Sequence, residues 1–365
     1  MTRHWLPVIA CTAVMAVTVS CTYVGGQFER APSAAEPMKA EGLAAALMLT
    51  EPAWVPIPLA EYSGSRIRQI DVTSDTLYAV DGKATAHAID LASGEHRWVL
   101  DMKEQPTRPI AVGATHVAYL AGRYATVATR DSGIPVAERA LEFSPSSNAA
   151  LTSSTLYAGS WGDGYRLRSV SLYDGWTGWS HIATEPITSA PLVLGSGADQ
   201  MLYYASQDRS VVAIEPRPAA AKGGSPTFWR VETLGPNSGD LAHDDDRLFV
   251  ACEDRALYAI QRQAGSILWK WLGSPAPLTT APQVGPDAVY QPCLTSVAAI
   301  DRETGVERYR LAEAERFLTR VGDRDYFKMV GDAIAAVNST TGEKLAEVRS
   351  PLFDFIPSTP AAGVL

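Results

Sequence analysis

The sequence predicts an all-β fold, a β-propeller of four-stranded blades. Three observations predict it: a unit recurs seven times at steps of 36 to 46 residues, each unit holds four short apolar runs, and Gly, Pro, Asp and Ser separate those runs. Such a unit cannot bury its own apolar face, so it must stack on copies of itself. Four short strands in a repeat of about 40–45 residues is the blade period of a propeller.

The clearest copy of the unit has an aromatic in its second strand, Tyr78, and a polar residue closing its third strand, Asp90. A Gly follows four residues later, Gly94, and an aromatic eight residues later, Trp98. An Asp can accept hydrogen bonds from the backbone ahead of it, and Gly can take a positive φ. The pattern therefore predicts a tight turn between the third and fourth strands of each blade.

Three columns of residues extend this pattern along the chain. The aromatic column is Tyr78, Tyr119, Tyr157, Tyr203, Phe249, Tyr290 and Tyr326, and the polar column is Asp90, Asp131, Asp174, Glu215, Gln261, Asp301 and Asn338. The glycines at plus four are Gly94, Gly178, Gly265, Gly305 and Gly342, while the second unit has Gly133 at plus two. The aromatics at plus eight are Trp98, Trp269 and Tyr309, with Trp229 displaced by an insertion at 216–226, Trp179 falling early, and Arg139 and Ala346 replacing the aromatic in the second and seventh units.

The termini bear on the number of blades. The segment 357–365 resembles the start of another unit, and 54–59 lies ahead of the first unit, where it could complete the same blade. Joining the two termini in one blade would close the ring and remove open sheet edges. The interpretation is a propeller domain over 51–365 with seven complete units and a composite eighth blade closed by both termini.

The first 50 residues are predicted to lie outside the propeller. Residues 1–20 hold an uncharged apolar stretch that is too short for a comfortable membrane span and ends just before Cys21, which resembles a bacterial lipoprotein signal. We therefore expect Cys21 to be lipidated; the alternative is an ordinary secretory signal with Cys21 incidental. Residues 21–50 are predicted to be a tether, with a short helix over 36–49. By analogy with enterobacterial sorting, Thr22 after the Cys indicates the periplasmic side of the outer membrane.

Charge and cysteine content limit the remaining options. The formal net charge is −9, which argues against nucleic acid as a partner because nucleic-acid binding needs a basic surface. Cys252 and Cys293 follow the aromatic column by three residues in neighbouring units. Equivalent positions on adjacent blades usually lie too far apart for a disulfide, so two free thiols are favoured over a bridge.

The repeat resembles the pyrroloquinoline-quinone-like (PQQ-like) propeller repeat over about residues 66–349. The units that carry the likeness are Leu77-Tyr78-Ala79-Val80 with Ala88-Ile89-Asp90, Gly94 and Trp98, and Leu248-Phe249-Val250-Ala251 with Ala259-Ile260, Gly265 and Trp269. Together with the lipoprotein-like start, the chain is similar to the BamB-type lipoproteins, eight-bladed scaffolds of the outer-membrane β-barrel assembly machinery. The resemblance implies a non-enzymatic scaffold without a cofactor, held at the membrane by its lipid and bound to protein partners.

Two alternatives remain open at the level of sequence. One is a small-ligand or cofactor-binding propeller that uses its central channel, as the quinone-dependent oxidoreductases with this repeat do. Those enzymes are much longer and commonly carry a vicinal Cys pair, which this sequence lacks. The other alternative is binding of an extracellular polymer through exposed aromatics.

The candidate partner-binding residues lie in the third unit, where the stretch 161–165 predicts a Gly-rich hairpin tip. Trp161, Tyr165 and Arg166 are of the residue types that dominate protein–protein hot spots. No catalytic, cofactor or metal residue is assigned, because the six His show no metal-ligand spacing. The acidic run from His243 to Arg247 is predicted to be a solvated turn.

Overall fold

The computed structural model describes residues 67–349, apart from 74, 92, 163, 176 and 217–226, together with three short N-terminal strands. Those three strands form a small antiparallel sheet in which the first pairs with each of the other two. They are β1 (Val8–Ala10), β2 (Met15–Val17) and β3 (Ala53–Trp54). Among the described residues no helix has the length and apolar character that a bilayer crossing demands.

Seven four-stranded antiparallel sheets follow, each a meander of four consecutive strands, which confirms the predicted fold class. A single 3₁₀ turn, Gly197–Asp199, interrupts the strands of the described region. The strands of blades 1 to 4 are β4 (Ile67–Val72), β5 (Thr76–Asp81), β6 (Thr85–Asp90) and β7 (His96–Asp101); β8 (Ala111–Val112), β9 (His116–Ala121), β10 (Tyr124–Thr129) and β11 (Pro135–Ala140); β12 (Ser144–Leu151), β13 (Thr155–Trp161), β14 (Arg166–Ser171) and β15 (Thr177–Ile182); and β16 (Leu192–Leu194), β17 (Met201–Ala205), β18 (Ser210–Ile214) and β19 (Thr227–Glu232). Those of blades 5 to 7 are β20 (Ala242–His243), β21 (Arg247–Cys252), β22 (Ala256–Gln261) and β23 (Ile267–Trp271); β24 (Gln283–Val284), β25 (Ala288–Pro292), β26 (Ser296–Asp301) and β27 (Glu307–Ala312); and β28 (Ala314–Val321), β29 (Arg324–Met329), β30 (Ala333–Asn338) and β31 (Lys344–Arg349).

The core lies between the blades. Apolar clusters join blades 1 and 2, 2 and 3, 3 and 4, 4 and 5, 5 and 6, and 6 and 7. In blades 1 and 5 the second and third strands are buried on both faces, so their sequences are nearly continuous apolar runs. First strands of successive blades, such as β8 and β12, contact each other, which places them nearest the ring axis.

An aromatic pair recurs inside four blades. The column aromatic of the second strand packs against the Trp of the fourth strand, with ring centroids 5.6 to 5.9 Å apart. The pairs are Tyr78 with Trp98, Tyr157 with Trp179, Tyr203 with Trp229 and Phe249 with Trp269. Three of these indoles also donate their N–H to a backbone carbonyl of the next blade, Trp98 to Arg130, Trp229 to Arg262 and Trp269 to Arg302.

The glycine at plus four completes this junction. In blade 6, Gly305 has a φ of +72°, and a Cβ on it would lie 2.7 Å from the Trp269 ring of blade 5. Gly265 lies in the same way against Trp229, and Gly342 against Tyr309. Gly is therefore required twice, once by the turn and once by the aromatic of the preceding blade.

Two units were aligned incorrectly at the sequence level. The Gly94 N–H bonds to the Asp90 carbonyl; the corresponding bonds run from Gly133 to Thr129 and from Gly175 to Ser171. Thr129 and Ser171, rather than Asp131 and Asp174, therefore hold the polar column. What the repeats share at this turn is the position of the polar residue relative to the paired strands. The residue itself can carry a hydroxyl group where other units have a carboxylate.

With this register the two units become regular. Gly133 and Gly175 both lie at plus four, so the assignment of Gly178 to this column was wrong; Gly178 lies within β15. Trp179 is at plus eight rather than early, and Ala137 rather than Arg139 stands at the aromatic position of blade 2.

The aromatic column also fails in blade 2. Tyr119 belongs to the cluster shared with blade 1, whereas Ala118 belongs to the cluster shared with blade 3 and takes the place of the column aromatic. Side chains alternate along a strand, so a one-residue offset sends Tyr119 to the opposite face. Arg139 covers Gly175 instead of a Trp and donates to the Asp174 carbonyl.

Several expectations concern the chain termini. Of the segments 54–59 and 357–365 proposed for a composite eighth blade, only Trp54 is among the described residues, and it lies in β3, which pairs with β1. The segments 357–365 and 36–49, and Cys21 itself, lie outside the described residues, so the eighth blade, the helix and lipidation remain predictions. Cys252 and Cys293 are both free thiols, the former buried, as favoured above.

Candidate functional site

The predicted hairpin tip connects β13 to β14 in blade 3. Its Gly162 and Gly164 have φ values of +110° and +80°, and a Cβ at either position would meet nothing within 4 Å, so the backbone turn alone calls for Gly. The Trp161 ring meets the Tyr165 ring edge to face, with centroids 6.2 Å apart, and 44% of Trp161 is exposed. The structure therefore brings together two of the three residues singled out from the sequence, with the indole facing solvent.

The other side of the hairpin is firmly attached to the blade. Tyr165 packs against the apolar cluster between blades 3 and 4, and its carbonyl accepts the Ala183 N–H at 2.8 Å. Arg166 is half-buried and donates to the Ser180 hydroxyl at 3.2 Å. Because Tyr165 and Arg166 are held by the blade, the hairpin presents Trp161 from a rigid base.

One residue of this surface was missed at the sequence level. Ile182 ends β15 and is paired in register with Arg166, beside the hairpin, and 64% of it is exposed. The alternation of side chains along a strand gives no signal of this exposure. The exposure arises because the fourth strand runs past the edge of the blade at Ile182. We call Trp161, Tyr165 and Ile182 the hairpin patch.

Charged residues border the hairpin patch on the side of blade 4. The Thr184 hydroxyl donates to Asp208 at 2.9 Å, and Arg230 lies 3.6 Å from the same carboxylate. Burial acts to raise the pKa of Asp208, but hydrogen bonds from Ser210 and Thr184 outweigh it and lower that pKa. An apolar centre with an ionised polar border is the usual anatomy of a protein–protein interface.

The same end of the ring carries further exposed leucines. In a four-stranded meander, the turn between the second and third strands and the connection to the next blade lie at one end. Leu234 and Leu272 lie in such connections and Leu294 in such a turn, and all three are exposed. Together with the hairpin patch they give this end of the ring an apolar surface that could dock a partner.

Buried polar groups on the first strands, and on the segments that lead into them, connect neighbouring blades. Asp71 accepts the Ile110 N–H at 3.2 Å, and Asp240 accepts the Ala190 N–H at 2.6 Å. Burial raises the pKa of both carboxyls, whereas it lowers the pKa of the Arg108 guanidinium. These carboxylates bridge adjacent blades.

The acidic run before β21 forms the turn between β20 and β21. Asp244 accepts the backbone N–H groups of Asp246 and Arg247 at 2.9 and 2.7 Å, and it lies 3.4 Å from Arg302 of blade 6. Within the described ranges no group of three or more His, Cys, Asp or Glu converges as a metal site.

The family model described as outer membrane protein assembly factor BamB matches residues 163–346. The chain belongs to the BamB family. The matched region runs from the last two strands of blade 3 through blades 4 to 6 and into the last strand of blade 7. No curated protein gives a significant sequence match to this BamB-family chain.

Solved structures share the fold of this BamB-family protein. BamB from Moraxella catarrhalis has a TM-score of 0.61 and 14% identity, over 79% of this chain and 88% of that one. The computationally designed Ika8 protein has a TM-score of 0.59 and 14% identity, over 82% and 91%. Quinohemoprotein alcohol dehydrogenase from Comamonas testosteroni has a TM-score of 0.56 and 12% identity, over 81% of this chain and 68% of the enzyme. At these identities the likeness concerns the fold alone.

Proposed function

We propose that this protein is a non-enzymatic scaffold that binds protein partners in the assembly of outer-membrane proteins. It acts at the periplasmic face of the outer membrane, held there by lipid on Cys21. Membership of the BamB family supports this role. The observation that carries it is the hairpin patch, where Trp161 on the rigid hairpin and Ile182 beside it are both exposed within a charged border.

The partner would insert a complementary surface against the hairpin patch. Trp and Tyr supply large contact areas at low cost in side-chain entropy, and such residues dominate binding energy when water is excluded around them. The exposed leucines at the same end extend the contact to neighbouring blades. We propose a component of the β-barrel assembly machinery as the partner.

A photo-crosslinking amino acid placed at position 161 tests this proposal in native envelopes. We expect a crosslink from position 161 to a β-barrel assembly component, and Trp161→Ala to reduce its recovery in a pull-down by tenfold or more. Tyr173 is the matched control: it is an exposed aromatic of the same blade, in the turn at the opposite end. Equal recovery with Trp161→Ala and Tyr173→Ala would contradict docking at the hairpin.

The anchor has a separate test. Cys21→Ala should move the protein from the membrane fraction to the soluble periplasmic fraction while leaving its melting temperature unchanged. Retention of the variant in the membrane fraction would argue against lipidation at Cys21.

A ligand site in the central channel is the competing function, and it is decided by titration. A ligand that binds the folded state raises Tm by mass action. For a scaffold we expect no change in Tm with pyrroloquinoline quinone and calcium; a rise that increases with ligand concentration would favour the channel.

A further inference from the structure

Two histidines of blade 1 face each other away from the hairpin patch. His87 lies in β6 and His96 in the neighbouring strand β7, and their ring centroids are 5.4 Å apart with an interplanar angle of 69°. They are nine residues apart in sequence, so no His-x-His or His-x-x-x-His spacing announced them. Antiparallel pairing of β6 with β7 brings them together.

The imidazole of His87 is buried without satisfying its polar atoms. Its relative exposure is 1%, and among the described residues neither of its ring nitrogens has a hydrogen-bond partner. The Nε2 of His96 is likewise buried and unpaired within that region. A neutral imidazole has one donor and one acceptor, and each unsatisfied buried group costs about 1–3 kcal/mol. Three unpaired nitrogens in one place therefore call for a ligand.

Other partly or fully buried histidines have a nearby polar partner. The Nδ1 of His116 lies 2.8 Å from the Thr115 hydroxyl, and the Nδ1 of His243 lies 3.2 Å from the Asp244 carbonyl. A buried imidazole in this fold can therefore find a hydrogen-bond partner. His87 differs from His116 and His243 because neither of its nitrogens has one among the described residues.

We propose that His87 and His96 bind one transition-metal ion of the imidazole-preferring class, Zn²⁺ or Cu²⁺. With metal–nitrogen bonds of about 2.0–2.1 Å and a tetrahedral angle, two imidazole centroids on one ion lie about 5 Å apart. The observed separation of 5.4 Å fits that arrangement. Zn²⁺ and Cu²⁺ stand at the strong end of the affinity order for such ligands.

The surroundings suit a cation held by neutral ligands. A neutral imidazole has one ring nitrogen with a free lone pair, and that nitrogen is the atom that binds a metal ion. Asp81 and Asp101 place negative charge near His87. Their carboxylates accept hydrogen bonds from Thr85, Asp81 from its backbone N–H and Asp101 from its hydroxyl. The two histidines thus supply the protein's ligands, and water or a small anion completes the coordination.

Calorimetric titration of the full-length protein with Zn²⁺ and Cu²⁺ tests the site, with Mg²⁺ and Ca²⁺ as hard-cation controls. The protein is refolded in the presence of each metal and dialysed before a parallel metal analysis, so that slow access to a buried site cannot hide binding. We expect one equivalent of Zn²⁺ or Cu²⁺ and none of Mg²⁺ or Ca²⁺. For Cu²⁺, the electron paramagnetic resonance spectrum should show nitrogen ligands.

Three variants locate the binding. His96→Gln and His87→Gln should each weaken binding by tenfold or more, whereas His116→Gln, a buried histidine with its own partner, should leave it unchanged. His96 is half-buried and tolerates substitution better than His87, so His96→Gln keeps the test valid if His87→Gln fails to fold. Absence of stoichiometric binding to the wild type, or wild-type affinity in folded His96→Gln, would overturn the proposal.

Discussion

In six of the seven described blades, the position that accepts the fewest residue types is the glycine four residues after the end of the third strand. At Gly305 the turn demands a positive φ, and the ring of Trp269 from the preceding blade occupies the space of a side chain. The two demands are separable, because Gly322 has a φ of +59° and nothing within 4 Å of where its Cβ would lie.

Gly305→Ala and Gly322→Ala measure the two demands. Gly322→Ala should lower the free energy of unfolding by about 1–2 kcal/mol, the cost of an L-residue in the left-handed region. Gly305→Ala should cost about 1–3 kcal/mol more, because the methyl group displaces Trp269. Denaturant unfolding of both variants checks this, and equal losses would mean that the indole moves aside without cost.

Asp325 is a fully buried carboxylate at the junction of blades 6 and 7. It is 0% exposed and accepts hydrogen bonds from Arg320, Tyr290 and Tyr309. Burial and the neighbouring Asp325 carboxylate raise the pKa of Tyr290, so this hydroxyl stays protonated and donates. A buried charge is tolerated here because its oxygens are fully paired.

Asp325→Asn should therefore lower the free energy of unfolding by about 3–5 kcal/mol, since Arg320 loses its buried counter-charge. Asp323→Asn is the control two residues away, where the carboxylate is 77% exposed and 3.9 Å from Arg324. An exposed pair of this kind contributes about 0–1 kcal/mol. A similar small loss in both variants would contradict a structural role for the buried network.

At the scale of the element, an Arg clamps the turn between the third and fourth strands to the turn between the first and second. In blade 6, Arg308 bonds both Asp301 and Asp287, at 2.6 and 2.7 Å. In blade 1, Arg97 makes the corresponding bonds to Asp90 and Asp75. The clamp fastens two turns at the same end of a blade.

The clamp predicts an acid-sensitive step. The hydrogen bond from Arg308 and those from the Thr304 backbone and hydroxyl lower the pKa of Asp301 to about 2, from an ordinary value of 3.8. Because the folded pKa is the lower one, the stabilisation is fully present above about pH 4 and is lost as the pH falls through about 2. Asp301→Asn should be less stable than the wild type at pH 5, and the difference should shrink towards pH 2.

Asn338 makes Asp301→Asn a clean variant. At the equivalent turn of blade 7, the Asn338 side chain already accepts two backbone N–H groups at 2.9 Å, so an amide preserves the turn and removes only the charge. Urea unfolding curves of both proteins between pH 5 and pH 2 provide the measurement. A stability difference that stays constant over this range would show that the carboxylate charge does not contribute.

At the scale of the whole molecule, blade 1 has two buried faces. Tyr78, Ala88 and Trp98 belong to the cluster shared with blade 2. Leu77 and Ile89 alternate with them along the strands, so they point to the opposite face, and they too are buried. The predicted composite eighth blade would lie against that face.

Removal of residues 350–365 tests the closure of the ring. If the C-terminal segment belongs to an eighth blade, the truncated protein should melt at a lower temperature and bind a hydrophobic dye at the exposed face of blade 1. Removal of residues 1–50, the predicted signal and tether, is the control and should leave Tm within a few degrees of the full chain. The opposite ranking would transfer the structural role to the N-terminal strands.

Much of this architecture follows from local rules. The alternation of apolar runs with Gly, Pro and Asp, and the recurrence of an aromatic and a Gly at fixed offsets, specify strands, turns and the blade period. Each of these features can be recognised within about ten residues, because it depends on backbone sterics and side-chain periodicity. The sequence by itself therefore determined the all-β fold, the four-stranded unit and the tip of the blade 3 hairpin.

Only the tertiary structure decided the register of blades 2 and 3 and the residues that share a surface. In blade 2 the position of the column aromatic is held by Ala118 and not by Tyr119, and the polar positions of blades 2 and 3 are held by Thr129 and Ser171 and not by Asp131 and Asp174. The reason is that the position of a residue in the strand pairing, and not its type, fixes which face of the sheet its side chain takes. The exposure of Ile182 and the pairing of His87 with His96 depend on strands that are distant or antiparallel. Both features depend on the exact register of paired strands and on where a strand ends, which a one-dimensional pattern does not encode.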